Sequence, residues 1–205
     1  MREKRIIFAA KVLSVVFTPF YLPLLGLAIL LAFTYLSLLP FMYKLLLLLA
    51  FWVFTVFVPT MLIRLYRRYQ GWSLFEIGSR ERRVIPYVIS IVSYLFCYYL
   101  MSAAHVPHFM GVVLMAALVI QVVCAMVNLF IKISTHTAAI GGVVGAIASF
   151  SLILGFNPVW WLCLAVFIAG LVGTSRMILR QHTLREIVLG FLVGVVCSFV
   201  SVALL

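Results

Sequence analysis

His182 and Glu186 stand four residues apart at the start of an apolar run that reads as helix to the C-terminus, a spacing that places both side chains on one helical face. A carboxylate accepting from one imidazole nitrogen fixes the tautomer and leaves the other nitrogen free as a nucleophile or base. Arg176 and Arg180 lie in the same polar interval and suit an anion. A second cluster, Lys-Ile-Ser-Thr-His-Thr at 132–137, opens another apolar run. A helix starting near Ser134 would present unpaired backbone N–H groups and the positive end of its dipole to a phosphate oxygen. Lys132, Ser134, His136, Arg176, His182 and Glu186 together make the inventory of a metal-free phosphoryl-transfer site working through a covalent intermediate. Taken singly, the same residues read as a basic cap and interfacial histidines at a membrane surface.

Composition decides where such a site must sit. Of 205 residues, 67% are hydrophobic and only 9% charged, too little polar surface for a soluble domain. The expected fold is all-α, a polytopic transmembrane helical bundle in one integral membrane domain over residues 1–205. All four acids are Glu (Glu3, Glu76, Glu81 and Glu186), so the formal charge of +11 is nearly unopposed. Such an excess favours anionic lipid or phosphate; the partners expected are membrane lipids and a lipid phosphate, with no nucleic acid. Cys97, Cys124, Cys163 and Cys197 fall inside apolar runs without CxxC or zinc spacing and read as packing residues. The site as read needs no metal and no organic cofactor.

A spanning helix needs about 20 apolar residues, which places spans near 13–38, 43–63, 84–104, 109–131, 136–156, 158–175 and 184–204. Pro19 and Pro23 interrupt the first, leaving one kinked helix or a short re-entrant piece as alternatives. The basic N-terminus resembles a signal peptide, but Lys11 breaks its apolar run and no small-x-small site follows, so it is expected to be retained. Alternate crossings put the N-terminus, 64–83, 131–136 and 175–185 on one face. That face then carries every Lys and Arg except Lys44. Tyr69 and Trp72 suit headgroup depth. His105 and His108, a possible metal pair, fall on the opposite face. Gly141, Gly142 and Gly145, Gly170 and Gly173, and Gly190 and Gly194 predict three helices packed closely enough to hold His136 and His182 in place.

Ser175-Arg176, five residues, His182, three residues, Glu186 resembles the third signature motif of the type 2 phosphatidic acid phosphatase superfamily. Ser134-Thr135-His136 resembles its second motif, usually Pro-Ser-Gly-His, and residues 80–86 resemble a degenerate first motif. The likeness covers about half the chain, from roughly residue 80 onward. It implies that His182 is the nucleophile and Glu186, in place of the usual Asp, orients it. It implies further that His136 protonates the leaving oxygen, that Ser134 and Arg176 bind phosphate, and that Arg80 or Arg83 supplies the first motif's Arg. Lys132 has no strict counterpart and would substitute for the missing first-motif Lys. The sequence departs from the pattern at Thr135, where Gly is usual, and at Ile85, where Arg is expected before Pro86. Two apparent spans also separate the first motif from the second, whereas familiar members carry both on one loop.

The expected activity is removal of phosphate from a lipid phosphate or pyrophosphate through a phosphohistidine. Polyprenyl pyrophosphate, phosphatidate-type lipids and lipid A phosphates all qualify, in a multi-pass protein expected in a bacterial inner membrane. Two alternatives stay open: a lipid phosphotransferase that discharges the same intermediate to an alcohol, and a non-catalytic protein that binds anionic lipid. The bias of Arg2, Lys4, Arg5, Arg64, Arg67 and Arg68 makes the basic face cytoplasmic, against the periplasmic site of many bacterial members of the superfamily. A cysteine placed at Ser73 on a cysteine-free background is therefore expected to resist an impermeant thiol reagent in intact cells and to react after lysis. Labelling in intact cells reverses the assignment.

Overall fold

The computed structural model describes residues 2–33, 35–69 and 80–204, and the side chains of all of these except 2, 33, 35, 80–83 and 108. The regular elements are all helical: α1 (Arg2–Val16), α2 (Leu22–Phe33), a 3-10 turn (Tyr35–Leu38), α3 (Phe41–Trp52), a π-helical segment (Val53–Phe57), α4 (Val58–Tyr69), α5 (Arg80–Ala103), α6 (His108–Phe130), α7 (Thr135–Leu154), α8 (Val159–Ile178) and α9 (Leu184–Ala203). From Phe41 to Tyr69 the chain is one continuous helix. With α5 to α9 this gives six helices long and apolar enough to cross a bilayer, in which every backbone group of a spanning segment must find its partner internally. The chain is an integral, multi-pass membrane protein.

The expected span at 13–38 is corrected: it is not one helix. α1 ends at Val16, and α2 has 12 residues, about 18 Å against a hydrocarbon core of about 30 Å. Proline explains the break, since Pro19 has neither an N–H nor room for a helical neighbour before it. Leu27, Leu30 and Leu31 of α2 and Leu36 of the 3-10 turn pack in one cluster with Phe51, Met101 and Met110. The short helix and the turn thus carry the chain across between its neighbours, where irregular backbone is tolerated because protein covers it. Lys44, the one basic residue expected on the far face, donates from Nζ to the Ser37 carbonyl at 2.9 Å.

The π segment has a local cause. Val58 N–H bonds the Val53 carbonyl, and Pro59 has no N–H to offer, so the Phe54 carbonyl is left over. Ser93 of α5 donates its hydroxyl to that carbonyl at 2.5 Å, which ties the α3–α4 helix to α5.

The closest packing in the molecule joins α7 to α9. A Cβ built on Gly141 or Gly145 would run into the Phe191 or Val195 carbonyl, and one on Gly194 would run into the Ala138 carbonyl. On Gly190 it would stand 2.5 Å from the Ser134 carbonyl. Backbone touches backbone along the whole seam. Gly173 of α8 faces Ile187 more loosely, at 3.1 Å from a built Cβ, and Gly170 has nothing within 4 Å. The expectation of a three-helix seam therefore holds for α7 and α9, while Gly170 takes no part. Among the cysteines, Cys97 and Cys124 are buried, but Cys163 is exposed on α8 and does not pack.

Opposite signs are expected at two of these glycines. Gly194→Ala forces the seam apart and should lower stability by about 1–3 kcal/mol. Gly170→Ala adds a methyl in open space and should raise it by about 0.5–1 kcal/mol through lost chain entropy. Unfolding midpoints in one detergent check both.

Candidate active site

The α7–α9 seam brings the two sequence clusters together at one end of the bundle. Ser134 N–H bonds the Glu186 carbonyl at 3.3 Å, so the first turn of α7 abuts the first turn of α9. There Glu186 Oε2 sits 2.7 Å from His182 Nδ1. With Nδ1 as the donor to the carboxylate, Nε2 is the nitrogen left for chemistry. Lys132 Nζ lies 4.0 Å from the same carboxylate oxygen and donates to the Gln181 carbonyl at 2.7 Å. One acid thus holds an imidazole and stands beside an ammonium.

The chain reaches His182 through a strained turn. α8 ends with Gln181 N–H bonded to the Arg176 carbonyl at 3.1 Å and Arg180 N–H to the Met177 carbonyl at 2.9 Å, and Arg180 adopts φ 52°. Glycine usually fills this left-handed position because a Cβ there is unfavourable. The equivalent turn after α7 does use glycine, Gly155 at φ 66°. An arginine held at such a cost is a functional signal, and Arg180 lines the cavity described below.

Arg176, in the last turn of α8, donates from Nη1 to the Ser14 hydroxyl at 2.7 Å. Its Nε is buried without a partner among the described residues. His136, in the first turn of α7, also has a buried Nδ1 without a bonded partner among the described residues; the Ser14 backbone lies near the ring. Unpartnered buried donors at a cavity wall are groups waiting for an acceptor. Arg176 is within electrostatic reach of both imidazoles.

These side chains share one cavity of about 1380 Å³, whose polar end is lined by Arg64, Arg67, Lys132, Thr135, His136, Arg176, Arg180, Gln181 and His182. Glu186 stands behind His182 and outside the lining. Ser134 differs from expectation: it is fully buried, its hydroxyl caps α7 by accepting from Thr137 N–H at 3.5 Å, and it does not line the cavity. Thr135, the residue where the motif usually has Gly, does line it. The side chains of Arg80 and Arg83, expected to bind phosphate, and Ser73, Trp72 and Glu76 of the connector lie outside the described residues. His105 and Lys44 are far from the cluster and line no part of the cavity.

Sequence reasoning missed Ser14, Arg180's conformation and the Gln181 carbonyl. Ser14 carries no signal in sequence, since a single serine in an apolar run is ordinary and its partner lies 162 positions away. Among the described residues no three His, Cys, Asp or Glu side chains converge, and the groups facing the cavity mouth are donors and cations, a set suited to an anion.

No family model matches the chain, and neither a curated protein nor a solved structure is significantly similar to it.

The electrostatics of His182 can be measured independently of any activity. Burial disfavours the imidazolium and pushes its pKa below the ordinary value. The hydrogen bond to Glu186 acts in the opposite direction, and the charges of Arg176 and Lys132 lower it further. His182 should therefore titrate below about 6.5 in NMR spectra of 13C-histidine protein and be neutral at pH 7. Glu186→Gln removes a group that favours the charged form, so the midpoint should move lower still; a rise contradicts the pairing.

Proposed function

We propose that the chain is a membrane-embedded phosphatase that removes phosphate from a lipid phosphate or lipid pyrophosphate through a phosphohistidine, as the motif resemblance implies. One observation carries the reading. His182 is held through Nδ1 at 2.7 Å from Glu186, which leaves Nε2 at the wall of a cavity whose mouth is lined by cations.

In this reading the lone pair on Nε2 attacks phosphorus in line with the bond to the lipid oxygen. Glu186 stabilises the imidazolium character that develops on the ring. Charge on the equatorial oxygens is met by Arg176 and Lys132, with Arg180 and the Thr135 hydroxyl beside them, the largest expected catalytic effect. The P–O bond to the lipid breaks as its electron pair goes to the leaving oxygen, which His136 protonates. Water then attacks the phosphohistidine and returns His182 with release of inorganic phosphate. Ser14 acts as a positioning residue in that it holds the Arg176 guanidinium.

Purified protein assayed for phosphate release from polyprenyl pyrophosphate, phosphatidate and lipid A phosphate tests the activity and ranks the substrates. His182→Ala should abolish release. Glu186→Asp, which keeps the charge, should outperform Glu186→Gln, and the neutral amide should cost about two to four orders of magnitude in kcat. His136→Ala should slow a monoester more than a pyrophosphate, whose leaving oxygen is less basic. A His182→Ala protein at the parent rate ends the covalent mechanism, and lipid binding without release from any substrate leaves a binding protein.

A further inference from the structure

The cavity does not stop at the charged mouth. Its α7 wall runs from Thr135 and His136 through Ala139, Val143, Ala146 and Phe150 to Leu154. These positions recur every three or four residues, one face of the helix, and span about 28 Å at the helical rise. Leu154 is the last residue of α7, so the cavity reaches the far end of the bundle, where Leu154, Phe156 and Trp161 line it and are partly exposed. Below His136 that face of α7 carries no polar side chain. α2 and α6 supply facing walls with Ile29, Leu30, Val113 and Ala117.

We propose that this cavity is a tail-binding tunnel: it takes the hydrocarbon chain of the phosphorylated substrate inside the bundle, with the end of the chain toward Leu154, Phe156 and Trp161. The inference rests on the lipid phosphatase reading for the identity of the head. The occupant's chemistry follows from the two ends. Arg64, Arg67, Lys132, Arg176 and Arg180 at the mouth hold a phosphate, and walls that are mostly apolar, with Ser90, Tyr94, Gln121, Asn128 and Ser198 interspersed, accept methylene groups. The tail is therefore held by protein over nearly the full thickness of the membrane, where composition alone suggests that it stays in lipid. Ala117 and Ala146, small residues on facing walls, keep the tunnel open at mid-depth. An extended chain longer than the tunnel gains no further contact with protein beyond Leu154, Phe156 and Trp161.

Full-length protein in lipid nanodiscs, given n-alkyl phosphates from octyl to hexacosyl, tests the tunnel. Phosphate release should rise in kcat/KM with chain length to about the length of an eicosyl chain and then stop rising. Ala146→Phe and Ala117→Phe should lower kcat/KM for eicosyl phosphate about tenfold or more while octyl phosphate changes by less than about twofold. A second readout needs neither turnover nor these variants. Eicosyl phosphate carrying a diazirine on its terminal carbon, photolysed on the parent protein and on His182→Ala, should label Phe150 or Val202, buried residues that line the cavity near its floor. Adducts confined to Leu152, Trp160 and Phe167, which are exposed on the outer surface, overturn the tunnel, as does a chain-length profile that both phenylalanine variants leave unchanged. Floor adducts without phosphate release from any substrate keep the tunnel and remove the hydrolase. Release with outer-surface adducts alone does the reverse.

Discussion

Everything at the candidate site depends on the backbone contact between α7 and α9. In a bilayer the hydrophobic effect does not drive helices together, because lipid tails are as apolar as leucine; close approach and dispersion must do it. Gly141, Gly145, Gly190 and Gly194 allow that approach from both helices, each facing a carbonyl of the other. The seam ends at the Ser134 N–H bond to the Glu186 carbonyl. His136 and the His182–Glu186 pair are therefore positioned by rigid helices within one turn of that bond, and two polar clusters some fifty residues apart in sequence become one site. Positioning of this kind is what phosphoryl transfer asks of a protein, since little of its catalysis is covalent.

The same low-dielectric surroundings explain why the charges lie where they do. Among the described residues, Glu186 makes the one ion pair, with Lys132, and a hydrogen bond to His182. Arg176 is held by a neutral hydroxyl, and among the described residues Arg64, Arg67 and Arg180 line the mouth without an ion-pair partner. Gathering cations at the edge of a hydrocarbon phase is unfavourable. Under the proposed function, a dianionic head would relieve that repulsion on binding. Polar tethers from outside the motifs, Ser14 on Arg176 and the Gln181 carbonyl on Lys132, fix the cations without neutralising them.

Much of this was legible in the sequence, for identifiable reasons. The i,i+4 spacing of His182 and Glu186 can be met in only one way on a helix, and their hydrogen bond is present. Six spans follow from runs of about 20 apolar residues, and most of their ends agree with the helices to within two residues; α5 starts four residues earlier at Arg80, α8 runs three residues on to Ile178, and the helix from Phe41 runs on to Tyr69, where Arg64, Arg67 and Arg68 are exposed. The first span was illegible because hydropathy does not distinguish a continuous helix from a helix, a turn and a 3-10 piece of the same composition. Glycine spacing pointed to the seam yet could not separate Gly170, whose surroundings are open, from Gly194. Ser134 matched a motif position, but the same residue type is also the preferred helix cap, and capping is the role its geometry shows.

Arg180 and Thr135 mark where the chain departs from its own local preferences. A β-branched threonine where the motif usually has glycine keeps a phosphate farther from the α7 backbone, so N–H groups at the helix start can contribute less to holding it. Arginine in a left-handed turn, where glycine is favoured, places a cation at the cavity mouth with its backbone locked by two hydrogen bonds from the end of α8. Under the proposed function the two departures would offset each other: a site that loses backbone donors on one side gains a guanidinium on a fixed backbone on the other. Guanidinium charge acts over a longer range than an N–H dipole, so the anion can be held without the close approach that glycine would allow. What the motif usually achieves through backbone contact, this chain can achieve with a strained side-chain cation.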